Sequence, residues 1–134
     1  MPVRVLAVDD HAIILQGLKL LFAQRPELEL VGEASNGEEA LAVFDDVSPD
    51  VVIMDMAMPV MDGVEATVNM LKRHPGVKVI VLSMHAEPYY IKLAREAGAL
   101  GYVLKETAFE VLADAIQKVV NGGTAFPELA GATP

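Results

Sequence analysis

The chain has 134 residues, a formal net charge of −9 and no cysteine. That length suits one compact domain, and 53% apolar residues against 22% charged ones supply ample matter for a core. Without cysteine there can be no disulfide or thiolate metal site, an acidic balance with no Lys/Arg cluster argues against gripping a phosphate backbone, and no apolar run approaches the roughly 20 residues that span a bilayer.

The opening stretch MPVRVLAVDD is too briefly apolar for a signal peptide and then turns acidic, so the expectation is a soluble, cytoplasmic chain with no membrane partner. VRVLAV (3–8) reads as a first strand and ends in Asp9-Asp10. A helix is predicted over 11–25, with Ile14, Leu15, Leu18, Leu21 and Phe22 on one face. LELVGEA (28–34) is the second strand, ending in Ala34-Ser35. Asn36 in SNGEEA is the cap of a helix over 37–47 with the stripe Ala40, Leu41, Phe44 and Val47.

VVIM (51–54) is a third strand, near-continuously apolar as a strand covered on both faces must be, and Asp55 ends it abruptly. The next helix, 63–73, carries Val64, Val68 and Leu71 and is closed by Pro75-Gly76. VKVIVLS (77–83) is a fourth strand ending in Ser83, followed by a helix over 88–98 with the weaker stripe Ile91, Ala94 and Ala97, closed by Gly98. GYVL (101–104) is the fifth strand and ends at Lys105. A last helix spans 108–121 with Phe109, Leu112, Ile116, Val119 and Val120; TAFE offers a capping box from Thr107 to Glu110, and Gly122 is its stop. The tail NGGTAFPELAGATP lacks periodicity and reads as a linker or frayed end.

Five strand–helix units in series predict a doubly wound α/β fold: five parallel strands in one sheet, five helices on both faces. Ligands of such sheets bind outside the carboxyl ends of the strands, so the residues that end each strand matter most. Each has a bland reading. Asp9 or Asp10 can cap the helix near His11, Asp55 can be a turn carboxylate, Ser83 a cap hydroxyl and Lys105 a solvated amine. Their conjunction at one edge changes the weighing. Clustered carboxylates repel one another unless a hard cation joins them, and Mg²⁺ is held by one or two carboxylates plus phosphate oxygens. A lysine can pair with a phosphoryl oxygen, a hydroxyl can donate to another, and one carboxylate can be a nucleophile. Asp55, alone after the central strand, is the best placed for that role.

The motifs VDD (8–10), IMDMAMPVMDG (53–63), VLS (81–83) and GYVLK (101–105), in this order and spacing, resemble the receiver domain of two-component response regulators over residues 3–121. The first helix, DDHAIILQGLKLLF, and the ending NGGTAF resemble the NarL/FixJ (LuxR-type) subfamily. The resemblance implies the flavodoxin-like strand order 2-1-3-4-5. It implies a phosphoryl group accepted by Asp55 from a sensor histidine kinase, with contacts from Ser83 and Lys105. It implies Mg²⁺ held by Asp10, Asp55 and the backbone carbonyl of Ala57, with Asp9 as support, and a switch through Ser83 and Tyr102 in which Tyr102 turns inward. The expected organisation is a receiver over 1–122 and a tail over 123–134 leading to a helix-turn-helix DNA-binding domain. Homodimerisation on phosphorylation is expected, and DNA contact only through that further domain. Any catalysis is self-directed: phosphotransfer and autodephosphorylation, not turnover of a substrate.

The sequence departs from the family in one respect. Glu106 follows Lys105 where many receivers have proline with a cis bond, and a cis bond without proline would cost about 2.5–4 kcal/mol. His85 is a variable position that either titrates near neutral pH or is a plain surface histidine. Tyr89 and Tyr90 either join a partner surface or cover the core. Three rivals stand beside this reading. A non-phosphorylated pseudo-receiver should lack an acid or the lysine, and none is missing. A turnover phosphatase needs a second acid two residues past Asp55, where Ala57 stands. A flavin carrier needs a Gly-rich loop where DDHA is acidic.

Overall fold

The computed structural model describes residues 1–127, so the tail beyond, 128–134, lies outside the described residues. The elements in chain order are β1 (Val3–Val8), α1 (Ala12–Ala23), β2 (Leu28–Ala34), α2 (Gly37–Val47), β3 (Val51–Asp55), α3 (Gly63–Arg73), β4 (Lys78–Ser83), α4 (Pro88–Glu96), β5 (Gly101–Leu104), a 3-10 turn (Lys105–Thr107) and α5 (Ala108–Val120). The five strands are parallel in the order β2-β1-β3-β4-β5, the doubly wound arrangement expected.

The sheet splits the core in two because successive side chains on a strand point to opposite faces. Val5, Ala7, Val51, Ile53, Ile80, Leu82 and Val103 face α1 and α5 and meet Leu18, Phe22, Leu112, Ile116 and Val119. Leu6, Val8, Val52, Met54, Val79, Val81 and Tyr102 face the other side and meet residues of α2, α3 and α4. The central strand β3 is buried at every position, including Asp55.

Local signals explain most element ends. Asn36 caps α2, its Oδ1 accepting the Glu39 N–H at 2.8 Å, while Glu39 Oε1 accepts the Ser35 N–H at 3.0 Å. Asp62 caps α3 in the same way, through the Glu65 N–H at 2.9 Å. The Thr107–Glu110 capping box does not form: the chain enters α5 through the 3-10 turn, and the Thr107 side chain makes no cap hydrogen bond. The core stripe of α3 also differs from the one predicted. Gly63, Ala66, Thr67 and Met70 are buried, whereas Val64, Val68 and Leu71 lie only half-buried at the margin of that face. Small residues let α3 approach the sheet closely, and the Thr67 hydroxyl is satisfied by donating to the Gly63 carbonyl at 2.7 Å. Phe109 is 45% exposed rather than core; it lies over Gly17 of α1, where any Cβ would collide with its ring.

Gly63 is required for closeness, not for an unusual dihedral. A Cβ there would overlap the main-chain carbonyl of Asp55, and the Gly63 N–H donates to Met56 O at 2.9 Å. The positive φ in this loop falls on Val60 instead, at 69°. Gly63→Ala is expected to lower the urea midpoint by an amount equivalent to at least about 1–3 kcal/mol, the cost of overpacking against rigid backbone. Asn36→Ala should cost about 1 kcal/mol by the same measurement, through the lost cap.

Candidate functional site

Parallel register decides which residues meet. Val8 pairs with Met54, so Asp9 and Asp55, one step further on, emerge side by side. Asp55 pairs with Leu82 and Ser83 with Leu104, so Ser83 and then Lys105 follow at successive levels along the same rim. Residues far apart in the chain therefore meet at one edge of the sheet.

Lys105 is the hub. Its Nζ lies 3.1 Å from Asp55 Oδ1 and 3.1 Å from Asp9 Oδ2, both charge pairs, and donates a hydrogen bond to Asp9 Oδ1 at 3.4 Å. Both carboxylates are buried, and the lysine side chain is 10% exposed, so these pairs are shielded from water and salt far better than surface pairs. The Ala57 N–H approaches Asp55 Oδ1 at 3.4 Å. Asp55 Oδ2 is buried and has no hydrogen-bond partner.

Asp10 joins Asp9, His11 and Asp55 in a cluster whose candidate ligand atoms all lie within 4.8 Å of one another. One ammonium cannot neutralise three carboxylates. An oxygen-rich set with an unpartnered buried oxygen suits a small hard cation such as Mg²⁺. His11 is the member that sequence reasoning overlooked. Its Nδ1 is 3.0 Å from Asp9 Oδ1, 3.4 Å from Asp10 Oδ1 and 3.2 Å from Lys105 Nζ. The only signal was its place directly after the acid pair. Asp9 does not cap α1 through a helical N–H; its Oδ1 accepts the N–H of His11, the residue that precedes the helix.

Ser83 is buried, its hydroxyl accepting the His85 N–H at 3.0 Å and lying 3.7 Å from Met56 Sδ. Tyr102 lies inward in this structure, 2% exposed. Its hydroxyl donates to the His85 carbonyl at 2.6 Å, and burial pushes the phenol above its ordinary value. The His85 ring stacks on Tyr90 at 4.1 Å with Nδ1 3.6 Å from Glu87 Oε2, so it is more than a free surface histidine. Tyr90 packs against the core, whereas Tyr89 is 65% exposed. All described peptide bonds are trans, including Lys105–Glu106, as expected where proline is missing. A hollow of about 60 Å³ bounded by Asp55, Met56, Ala57, Ser83 and Lys105 lies over the carboxylate, room for little more than an ion with water.

The Asp55 carboxyl is pushed up from 3.8 to about 7, mainly by burial and then by the Asp9 charge, with Lys105 opposing. A raised acid holds its proton in the folded state, so the stability it contributes is present below about pH 4 and is lost as pH rises through about 7. In a chelating buffer, Asp55→Asn should therefore be more stable than wild type above pH 7, by roughly 2–4 kcal/mol, with the difference vanishing near pH 4. Urea titrations across pH 4–8 measure this, and added Mg²⁺ should narrow the gap by stabilising the wild type alone.

Comparison with known proteins agrees with this geometry. Residues 5–117 match the family described as "Response regulator receiver domain". The chain is 39% identical over 121 residues to the transcriptional regulatory protein DegU of Brevibacillus brevis, covering 90% of this chain and 51% of that protein. It is 38% identical over 130 residues to the response regulator protein VraR of Staphylococcus aureus, covering 96% of this chain and 62% of that one. It thus spans little more than half the length of these relatives. A crystal structure of a LuxR-family two-component response regulator from Aurantimonas sp. SI85-9A1 superposes with a TM-score of 0.88 at 33% identity, over 93% of this chain and 89% of that one. With a pattern covering most of its length and the acid–lysine pocket in place, the chain belongs to the receiver domain family of two-component response regulators.

Proposed function

We propose that this chain is a phosphorylation switch in which Asp55 accepts a phosphoryl group from a phosphohistidine on a sensor kinase. A carboxylate oxygen of Asp55 attacks phosphorus, the new P–O bond forms as the P–N bond breaks, and the imidazole leaves with its electron pair and takes up a proton from solvent. The observation that carries the reading is the Asp55 carboxylate at the sheet rim, 3.1 Å from Lys105 through one oxygen and unpartnered at the other. In phosphoryl transfer the protein contributes mostly positioning and charge neutralisation. Lys105 is fixed where it can meet a phosphoryl oxygen, and the Ser83 hydroxyl can donate to another. Asp10, Asp55 and the Ala57 carbonyl would hold Mg²⁺, with Asp9 supporting through Lys105 and His11; when bound, the ion supplies positive charge to the phosphoryl oxygens.

Because Tyr102 already lies inward and holds the His85 carbonyl, the switch would act through the loop between β4 and α4 rather than by rotation of the ring. Ser83, drawn toward the phosphoryl group, would release the His85 N–H that it now accepts. We assign residues 1–122 to the receiver and 123–134 to a tail leading to a helix-turn-helix DNA-binding domain. Output would be transcription, in line with the naming of the Brevibacillus relative as a transcriptional regulatory protein, and phosphorylation would favour a homodimer. The domain turns over no external substrate; its chemistry is directed at itself.

Incubation with a small phosphodonor and Mg²⁺, read by intact mass, tests the assignment. Wild type should gain the mass of one phosphate and Asp55→Asn none; gain in the variant, or none in the wild type, would leave a pseudo-receiver as the better description. Lys105→Ala should slow the gain by on the order of 10²-fold, the scale of losing one preorganised charge stabiliser. A chelator should abolish labelling of the wild type.

A further inference from the structure

The first residues after α5, as far as Phe126, are tied to the fold. Lys118, Val119, Gly122 and Gly123 close the helix with paired bonds, the Gly123 N–H to Lys118 O at 2.9 Å and the Gly122 N–H to Val119 O at 3.2 Å. Gly122 sits at φ +92°, a dihedral only glycine adopts without strain, and this turn sends the chain back along the free edge of β5. There the Ala125 N–H donates to Leu100 O at 2.8 Å, and the Tyr102 N–H donates to Ala125 O at 2.9 Å. The result is a parallel bridge between Gly101 and Ala125, a sixth strand of minimal length. Gly101 permits it: a Cβ there would stand 3.2 Å from the Ala125 carbonyl oxygen and 3.2 Å from Ile80 Cγ1. Side chains fasten both faces. Ala125 packs on the α1/α5 side of the core, Phe126 on the α4 side, and the Arg95 guanidinium lies 4.2 Å over the Phe126 ring.

Tyr102 therefore holds two things at once. Its main-chain N–H holds the tail, and its hydroxyl holds the His85 carbonyl, while the His85 N–H is held by Ser83. We infer that residues 124–126 form a latch on the β5 edge, coupled through Tyr102 and His85 to Ser83 and so to the state of Asp55. The inference rests on the phosphoacceptor reading above and extends it to the route by which the state of Asp55 reaches the chain that follows. When Ser83 turns to a phosphoryl oxygen, the His85 peptide loses one of its two anchors, the loop shifts with the Tyr102 ring, and the latch loosens. Coupling is reciprocal: a protein whose latch is already loose must bind the phosphoryl group, or its mimic, more tightly.

The test is amide hydrogen exchange and ligand titration on the whole 134-residue chain, using beryllium fluoride with Mg²⁺ as the phosphoryl mimic. Without the mimic, the Tyr102 and Ala125 amides should be protected, and Phe126→Ala and Arg95→Ala should each reduce that protection while leaving Met54 in β3 unchanged. Adding the mimic to wild type should speed exchange at Ala125 by at least about threefold, and both variants should bind the mimic at least about threefold more tightly than wild type. A wild type that binds the mimic with unchanged exchange at Ala125, or variants with unaltered affinity, would overturn the latch and leave the phosphoacceptor reading standing. A wild type that fails to bind the mimic would overturn that reading, and the coupling with it. An Ala125 amide that exchanges as fast as open chain before any addition would overturn the docking itself.

Discussion

One ammonium group at the end of the sheet makes the rest of the site tenable. Lys105 sits between two buried carboxylates, 3.1 Å from each. Without it, Asp9 and Asp55 would be like charges held out of water, an arrangement that a protein avoids by protonating one of them or by leaving the region unfolded. With it, the charge is only partly balanced, because Asp10 adds a third acid. That residual imbalance is the useful property. Burial and then the Asp9 charge push the Asp55 carboxyl up to about 7 against the pull of Lys105, and one of its oxygens is unpartnered, which suits the cation and phosphoryl group proposed for this site.

Holding such a group of charges requires a rigid frame. The frame is a sheet buried on both faces, in which Val52, Ile53 and Met54 are fully enclosed immediately before Asp55. The loop beyond is fixed just as tightly: the Asp55 carbonyl packs against Gly63, and the first turns of α3 present the small residues Gly63, Ala66 and Thr67 to the sheet so that this approach is possible. The helix termini that could have competed for the site carboxylates are otherwise supplied. Asn36 and Asp62 cap α2 and α3. Ser83, His85 and Tyr102 form one run of hydrogen bonds from the rim to the adjacent edge strand β5.

The sequence was most legible where one physical signal dominated. Strands buried on both faces must be continuously apolar, so their limits were read to within a residue, and the polar residue that ends each run announced itself by contrast. It was least legible where residues act through size or neighbourhood. Gly63, Ala66 and Thr67 form the buried face of α3 but carry too little hydrophobicity to outweigh Val64 and Val68. Thr107 and Glu110 have the spacing of a capping box, yet a preceding 3-10 turn removes its purpose. His11 reads as an ordinary residue at a helix start, and only the fold places it against Asp9, Asp10 and Lys105.

Apolar periodicity and the five strand-terminal polar residues, by themselves, determined the α/β architecture and the edge of the sheet at which those five residues gather. Those properties are local, written in the alternation of burial and in what interrupts it. The tertiary structure alone decided the distances: that Lys105 reaches both acids, that one oxygen of Asp55 goes unpartnered, that Tyr102 lies inward, and that Ala125, in a stretch without periodicity, bridges to β5. Each of these depends on register and packing between segments remote in the chain, and no periodicity within a segment encodes where its neighbour will lie.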